Sequence, residues 1–354
     1  MTPEEPVTGG DLEATTGTRP ALAAFGHVLR GRYELGRVIG RGGMGVVLEA
    51  HDRVLDRPVV AKILPRELIG DSRAAARLLR EGRVAARVSH PAIVAVLDLG
   101  VLETGEPYLV MEHLAGHDLG QCMDVWGVLS LEDTLALLMP VAEALDCLHG
   151  AGVVHRDVKP SNVFVLDGQP TRVKLIDFGL ALLDDTTFTR LTQQGVLVGT
   201  VEYLAPELVR GGRPTPSADV YALACVAYEM LSGRLPFEGN PLDILLDKGR
   251  LAPPRLDVLG VAGERVATVM ERGLSTRPLD RPARATDLLR ELAQAAAEPP
   301  APAIEILAPS VVAAPPHWEE APIVIPRDTR MLRAALSFLV LVVVLVAALV
   351  ISTR

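Results

Sequence analysis

Residues 155–162 read His155-Arg156-Asp157-Val158-Lys159-Pro160-Ser161-Asn162, directly after the apolar pair Val153-Val154. An imidazole, a guanidinium, a carboxylate, an ammonium and an amide within eight residues are costly to place near a core unless they satisfy one another. The stretch is the most specific chemical signal in the chain. On its N-terminal side, Ser130 and Asp133 form a capping box ahead of Leu135, Leu138, Ala142, Leu145 and Leu148. That 3.6-period stripe predicts a helix, with Pro140 expected to kink it. Further upstream, YELGRVI (33–39), VVLEA (46–50) and PVVAKIL (58–64) read as short strands between Gly-rich and charged turns. The run 72–88 is rich in helix formers and closes at His90-Pro91, and IVAVLDLG (93–100) and PYLVMEH (107–113) read as two more strands. Beyond the polar stretch come KLIDF (174–178) and several helical segments, among them 219–233. Strands first and helices later predict an α+β chain, a smaller β-rich lobe joined to a larger α-rich one.

Within the β-rich half, Gly40, Gly42 and Gly45 make the spacing GxGxxG in IGRGGMGVV, which also includes Arg41, Gly43, Met44, Val46 and Val47. In a dinucleotide fold such glycines open a helix, whereas here a β-branched run follows, so the loop reads as a hairpin tip. Glycine suits a loop whose backbone N–H groups close over phosphate oxygens; a flexible hairpin without a ligand is the alternative. Lys62 ends the next β-branched run, where a hairpin return would bring its ammonium towards the loop; a surface lysine at a strand end fits equally. Glu81 either neutralises Lys62 or belongs to a solvated helix face with Arg77, Arg80 and Arg83. A dinucleotide-dependent oxidoreductase is set aside, because it needs an acidic ribose contact about twenty residues on, where position 62 offers a lysine.

With Asp177-Phe178-Gly179 and Ala205-Pro206-Glu207 following in order, the chain resembles a eukaryotic-like Ser/Thr protein kinase over about residues 33 to 295. Its IGRGGMGVV, HRDVKPSN and GTVEYLAPE wording is similar to the bacterial, membrane-anchored branch. The resemblance implies the two-lobed kinase fold and transfer of the ATP γ-phosphoryl group to Ser/Thr hydroxyls of protein substrates. It implies that the glycines roof the triphosphate and that Ile39, Val47, Ala61, Met111 and Phe164 surround the adenine, with Glu112 to Leu114 as the hinge. Lys62 would hold the α- and β-phosphates and pair with Glu81; Asn162 and Asp177 would bind Mg²⁺, with Mn²⁺ as an alternative ion. Asp157 would accept the substrate hydroxyl, and Lys159 would sit on the transferring group. Glu207 would pair with Arg281, and Asp219 would brace the catalytic loop. Arg156 before Asp157 implies a basic pocket for a phosphate on the activation segment, with Thr192 the foremost acceptor, then Thr189, Thr187 and Thr186. Gln194 stands where relatives often carry a second threonine. A homodimer for phosphorylation in trans is a further implication. A pseudokinase, a membrane-tethered nucleotide-dependent scaffold, is the competing reading, yet Lys62, Asp157, Asn162 and Asp177 are all present.

Composition bounds the rest. The 354 residues carry 35 Lys+Arg and 44 Asp+Glu, a formal charge of −9, with 49% hydrophobic residues. Whole-chain disorder is excluded, and the acidic balance argues against nucleic acid as a partner. Three scattered cysteines, Cys122, Cys147 and Cys225, suit core thiols in a reducing compartment. Residues 1–32 read as a disordered arm, 33–295 as the catalytic domain and 296–330 as a Pro/Ala-rich linker. Residues 331–352 read as a membrane helix, since Ala334 to Ser352 is nineteen residues without a charge, about 28 Å as a helix. Arg327, Arg330 and Arg333 precede this run and Arg354 follows it, so the expectation is a single pass through the cell membrane with the catalytic domain cytoplasmic. Only residues 353–354 would emerge, with no external sensor domain expected.

Overall fold

Residues that alternate along a strand point to opposite faces, and in the β-rich half this period of two builds one sheet over a private core. The fold is seen in a computed structural model, which describes residues 27–42, 45–65, 86–167, 172–177, 201–256 and 260–297. Strands β1 (Val28–Leu29), β2 (Tyr33–Gly42), β3 (Gly45–Asp52), β4 (Arg57–Ile63), β5 (Val96–Val101) and β6 (Pro107–Glu112) form an antiparallel sheet in the order β1-β2-β3-β4-β6-β5. Val59, Ala61 and Ile63 of β4 are buried with Tyr33, Leu35, Val46, Leu48 and Val110. Val60 and Lys62, one residue out of phase, therefore face the other way. At the base of the β2–β3 hairpin, Arg32 grips Asp52 with two hydrogen bonds of 2.8 and 2.6 Å and lies over the Tyr33 ring. The same carboxylate accepts the N–H groups of Val54 and Leu55, which holds the turn into β4.

The second lobe opens with β7 (Gly116–Asp118), and Asp118 caps α1 (Leu119–Trp126). Ser130 caps α2 (Leu131–Gly150), its Oγ accepting the Asp133 N–H at 3.1 Å as the capping box requires. The helix continues through Pro140. A single 3-10 turn (Pro160–Asn162) leads into β8 (Val163–Leu166), which pairs with β7 and β9 (Val173–Leu175) in a three-stranded sheet. Then follow α3 (Pro206–Val209), α4 (Pro216–Ser232), α5 (Pro241–Arg250), α6 (Gly260–Gly273) and α7 (Ala285–Ala297). Helix α4 is buried on nearly every side, as expected for a central helix apolar all round, and ends at Gly233 with φ +72°. Leu138, Val141 and Leu145 of α2 share its core with Leu288, Leu289 and Leu292 of α7.

The lobes are linked where β6 ends. Glu112 accepts the Ala95 N–H at 2.7 Å and the Lys174 ammonium of β9 at 2.7 Å. The helix expected at 72–88 falls mostly outside the described residues, as do the arm before residue 27, the linker from 298 and the apolar run 334–352. Among the described residues no helix is long and apolar enough to cross a membrane.

Gly45 is needed by the fold itself. It sits at φ +126°, and a Cβ there would overlap the Ile63 carbonyl oxygen of β4. At Gly40 the nearest atom to an added Cβ is Val47 Cβ at 3.6 Å, an ordinary contact. Gly45→Ala is expected to lower stability by about 1–3 kcal/mol, whereas Gly40→Ala stays within about 0.5 kcal/mol, both read by thermal or denaturant unfolding.

Candidate active site

The polar stretch at 155–162 is held by one carboxylate that the motif does not contain. Asp219, near the start of α4 and 1% exposed, accepts the N–H groups of His155 and Arg156 at 2.8 Å each and the His149 ring nitrogen Nε2 at 2.7 Å. Burial alone would push its carboxyl up; the hydrogen bond and charge of His149 and the backbone donor outweigh that and hold it below the usual carboxylate range. Arg156 adopts φ +69°, a left-handed conformation that costs a non-glycine residue on the order of 1–3 kcal/mol. Its N–H bond to Asp219 holds it there. His155, fully buried, donates from Nε2 to the Ile176 carbonyl at 3.1 Å and accepts the Asp157 N–H on Nδ1 at 3.4 Å. The same ring thus ties the loop to the residue before Asp177, itself at φ +66°.

This anchoring presents Asp157 in an asymmetric way. Its Oδ2 accepts Asn162 Nδ2 at 2.8 Å and Lys159 Nζ at 2.9 Å. Its Oδ1, equally buried, has no hydrogen-bond donor among the described residues. An unsatisfied buried acceptor costs roughly 1–3 kcal/mol, so the loop keeps one carboxylate oxygen ready for an incoming O–H. Asn162 spends both amide hydrogens on Asp157, on its backbone carbonyl at 2.7 Å and its carboxylate. The Asn162 amide oxygen and the Asp177 carboxylate are hard oxygen donors of the kind a small divalent cation takes alongside phosphate oxygens. No cluster of three or more His, Cys, Asp or Glu able to hold a metal occurs among the described residues.

Between the lobes lies a cleft of about 300 Å³ lined by Ile39, Val47, Val60, Lys62, Met111, Glu112, Leu114, Phe164, Asn162 and Asp177, with Val94, His113, Ser161 and Ile176. Apolar walls at one end and charged groups at the other suit a flat heterocycle carrying an anionic tail. One expected lining residue is corrected: Ala61 turns into the upper core, because the strand period puts Val60, two residues before Lys62, on the cleft face with Val47. Gly40, Arg41, Gly42 and Gly45 occupy the β2–β3 hairpin at the cleft edge, with Gly43 and Met44 outside the described residues. Lys62 ion-pairs with Asp177; Glu81, its expected partner, lies outside the described residues, as do Thr186, Thr187, Thr189 and Thr192.

Ser161 also lines a second, larger cavity of about 650 Å³, an open groove shared by Asp124, Lys159, Glu202, Tyr203 and Glu229. Tyr203 donates to Glu229 at 2.6 Å, and burial raises the Glu229 carboxyl above its usual range. Glu207 and Arg281 pair as expected, in a two-pronged contact of 2.7 Å on each side, and the guanidinium lies over the Tyr221 ring. Sequence reading missed His149, Glu229, Val60 and Lys174; only Val60 carried a local signal, its spacing from Lys62.

Removing the Asp219 carboxylate strands two buried backbone donors and frees Arg156 from its left-handed conformation. Asp219→Ala is expected to cost about 2–6 kcal/mol in denaturant unfolding, two orphaned donors at roughly 1–3 each. With the carboxyl held below its ordinary value, the stability it contributes is present above the unfolded pKa near 4 and is lost as pH falls through the folded one. The variant's stability should therefore fall less steeply than wild type in that acid range.

Comparison with known proteins agrees with this geometry. Residues 33–287 match the protein kinase domain family. Serine/threonine-protein kinase pkn3 of Myxococcus xanthus is 37% identical over 275 residues, 75% of this chain and 50% of that protein. Serine/threonine-protein kinase PknE of Mycobacterium tuberculosis is 38% identical over 260 residues, 73% of this chain and 45% of that protein. The chain thus spans half or less of these relatives' own length. Among solved structures, the Mycobacterium tuberculosis PknI kinase domain superposes with a TM-score of 0.61 at 31% identity, covering 77% of this chain and 99% of that one. Fold, loop geometry and sequence relatives converge, and the chain belongs to the protein kinase family, in its bacterial eukaryotic-like Ser/Thr branch.

Proposed function

We propose that this chain is an enzyme that transfers the γ-phosphoryl group of ATP to Ser and Thr hydroxyls of proteins, its own activation segment included, and that it works tethered to a membrane. The observation that carries the reading is Asp157, whose Oδ2 accepts two donors while the buried Oδ1 has none among the described residues. A substrate hydroxyl donating to Oδ1 would be oriented for attack and would pass its proton to that oxygen as the bond from phosphorus to the bridging oxygen breaks, leaving ADP.

The other residues then take complementary parts. Apolar walls at Ile39, Val47, Val60, Met111 and Phe164 would receive the adenine. Lys62, only 5% exposed, would exchange its Asp177 partner for the α- and β-phosphates, and Lys159 would neutralise the transferring group beside Asp157. Asn162 Oδ1 and the Asp177 carboxylate would hold Mg²⁺, which when bound supplies charge neutralisation on the phosphate oxygens. Because phosphoryl transfer asks for positioning and charge cancellation more than covalent chemistry, rigid placement of these groups is most of the catalyst. The membrane tether rests on the apolar run 334–352 and its flanking arginines, and autophosphorylation on the threonines at 186, 187, 189 and 192.

Labelled ATP offered with Mg²⁺ and a protein substrate tests the reading. Asp157→Asn should lower transfer about 10²–10⁴-fold while nucleotide binding persists, and mass spectrometry of active wild type should find phosphate on Thr192 or its neighbours. ATP binding with no transfer by wild type would favour the scaffold reading. Deleting 327–354 should move the protein from the membrane to the soluble fraction with its transfer rate within about twofold, since the deleted residues lie outside the matched domain, 33–287.

A further inference from the structure

Lys248, in the last turn of α5, is a buried cation without a counter-ion among the described residues. It is 0% exposed, and no carboxylate pairs with it among the described residues. A buried ammonium is tolerated only when its hydrogens are fully used. Here Nζ donates to three backbone carbonyls of one short segment, Val201 at 2.8 Å, Glu202 at 2.5 Å and Leu204 at 3.0 Å, and lies 5.2 Å from the centre of the Tyr221 ring. Three carbonyls within four residues, turned towards one nitrogen, fix a backbone path that no helix or strand specifies.

The segment so fixed forms one wall of the groove next to the catalytic loop. Glu202 and Tyr203 line that groove with Lys159 and Ser161, and Tyr203 and Leu204 border a small space with Arg156 and Asp157. Just beyond, Arg281, which also lies over the Tyr221 ring, holds Glu207. The wall is thus pinned at both ends, by Arg281 through a side chain and by Lys248 through the backbone.

We propose that Lys248 is a positioning residue for protein substrate: its ammonium sets the 201–204 backbone, and with it the groove wall against which the segment around the acceptor hydroxyl docks, without touching nucleotide. The inference rests on the kinase reading for its substrate side; the backbone-setting side stands on the three carbonyl bonds alone.

Titration separates this role from simple structural support. Among the described residues the groups facing Lys248 are Cys225 and Tyr221 from α4 and Glu202 from the segment, with Arg281 over the same Tyr221 ring. Burial lowers the ammonium to about 8, with Cys225 and Glu202 opposing. The folded chain therefore releases this proton near pH 8 while the unfolded chain holds it to about 10.4. Between those values the unfolded state binds more protons, so this group's contribution to stability rises with pH. A neutral amine has two hydrogens for three carbonyls, so protein-substrate affinity falls over the same range. Structural support alone would move both in the same direction.

The test compares the full chain with Lys248→Met, which keeps the stem and removes the donors, and Lys248→Gln, which keeps a donor amide. Hydrogen exchange should show faster amide exchange confined to 201–207 in Lys248→Met, partly restored in Lys248→Gln. Steady-state transfer should show KM for the protein substrate raised about tenfold or more, with KM for ATP within about twofold. In wild type that substrate KM should rise from pH 7 to 9, and the rise should be absent in Lys248→Met. Unchanged exchange at 201–207, or equal losses in ATP and protein-substrate parameters, overturns the proposal. Wild type that transfers no phosphate would remove the kinase reading and the substrate half of the proposal, leaving exchange at 201–207 to decide whether Lys248 sets the backbone.

Discussion

A single buried carboxylate carries the catalytic geometry. Asp219 reaches from α4, the most enclosed helix of the larger lobe, and takes the N–H groups of His155 and Arg156 together with the His149 ring. Those bonds hold a left-handed arginine backbone that would otherwise relax. The strained Arg156 backbone and the Asp157 oxygen that has no donor among the described residues are neighbours in sequence, and both rest on the surrounding packed core. Function here is stored as local frustration, offset by the packing of α2, α4 and α7.

Around that loop, two concavities meet at Ser161. The inter-lobe cleft has apolar walls and a charged end at Lys62, Asn162 and Asp177. The groove of the larger lobe is bordered by Asp124, Glu202 and Glu229 against Lys159. Asp157 is bonded to a lining residue of each, Asn162 of the cleft and Lys159 of the groove. Glu112 and Lys174 tie the lobes at the cleft mouth, which makes the separation of those walls depend on an ion pair as well as on the connecting backbone.

Much of this was legible in the residues, for identifiable reasons. The strands at 33–39, 46–50, 58–64 and 107–113 were readable from β-branched runs and turn residues, and Ser130 announced α2 by its capping partner. Asp157, Lys159 and Asn162 were legible because eight residues concentrate groups that must satisfy each other. Ala61 belongs to the upper core and not to the cleft wall, because the strand period counted from Lys62 points Val60 at the cleft. Gly45 was read as making room for phosphate, whereas the close Ile63 carbonyl already demands it. His149, Lys174 and Lys248 had no local signal, since their roles depend on partners dozens of residues away that only the packing of α2, β9 and α5 brings near.

The proposed transfer turns on one oxygen atom, Asp157 Oδ1. A crystal structure of the full chain with Mg²⁺, a non-hydrolysable ATP analogue and a serine-containing peptide tests it most directly. The account predicts the analogue in the cleft bounded by Ile39, Met111 and Phe164, with the serine hydroxyl about 2.6–3.2 Å from Asp157 Oδ1. A nucleotide bound outside that cleft, or a serine hydroxyl turned away from Asp157, would contradict it.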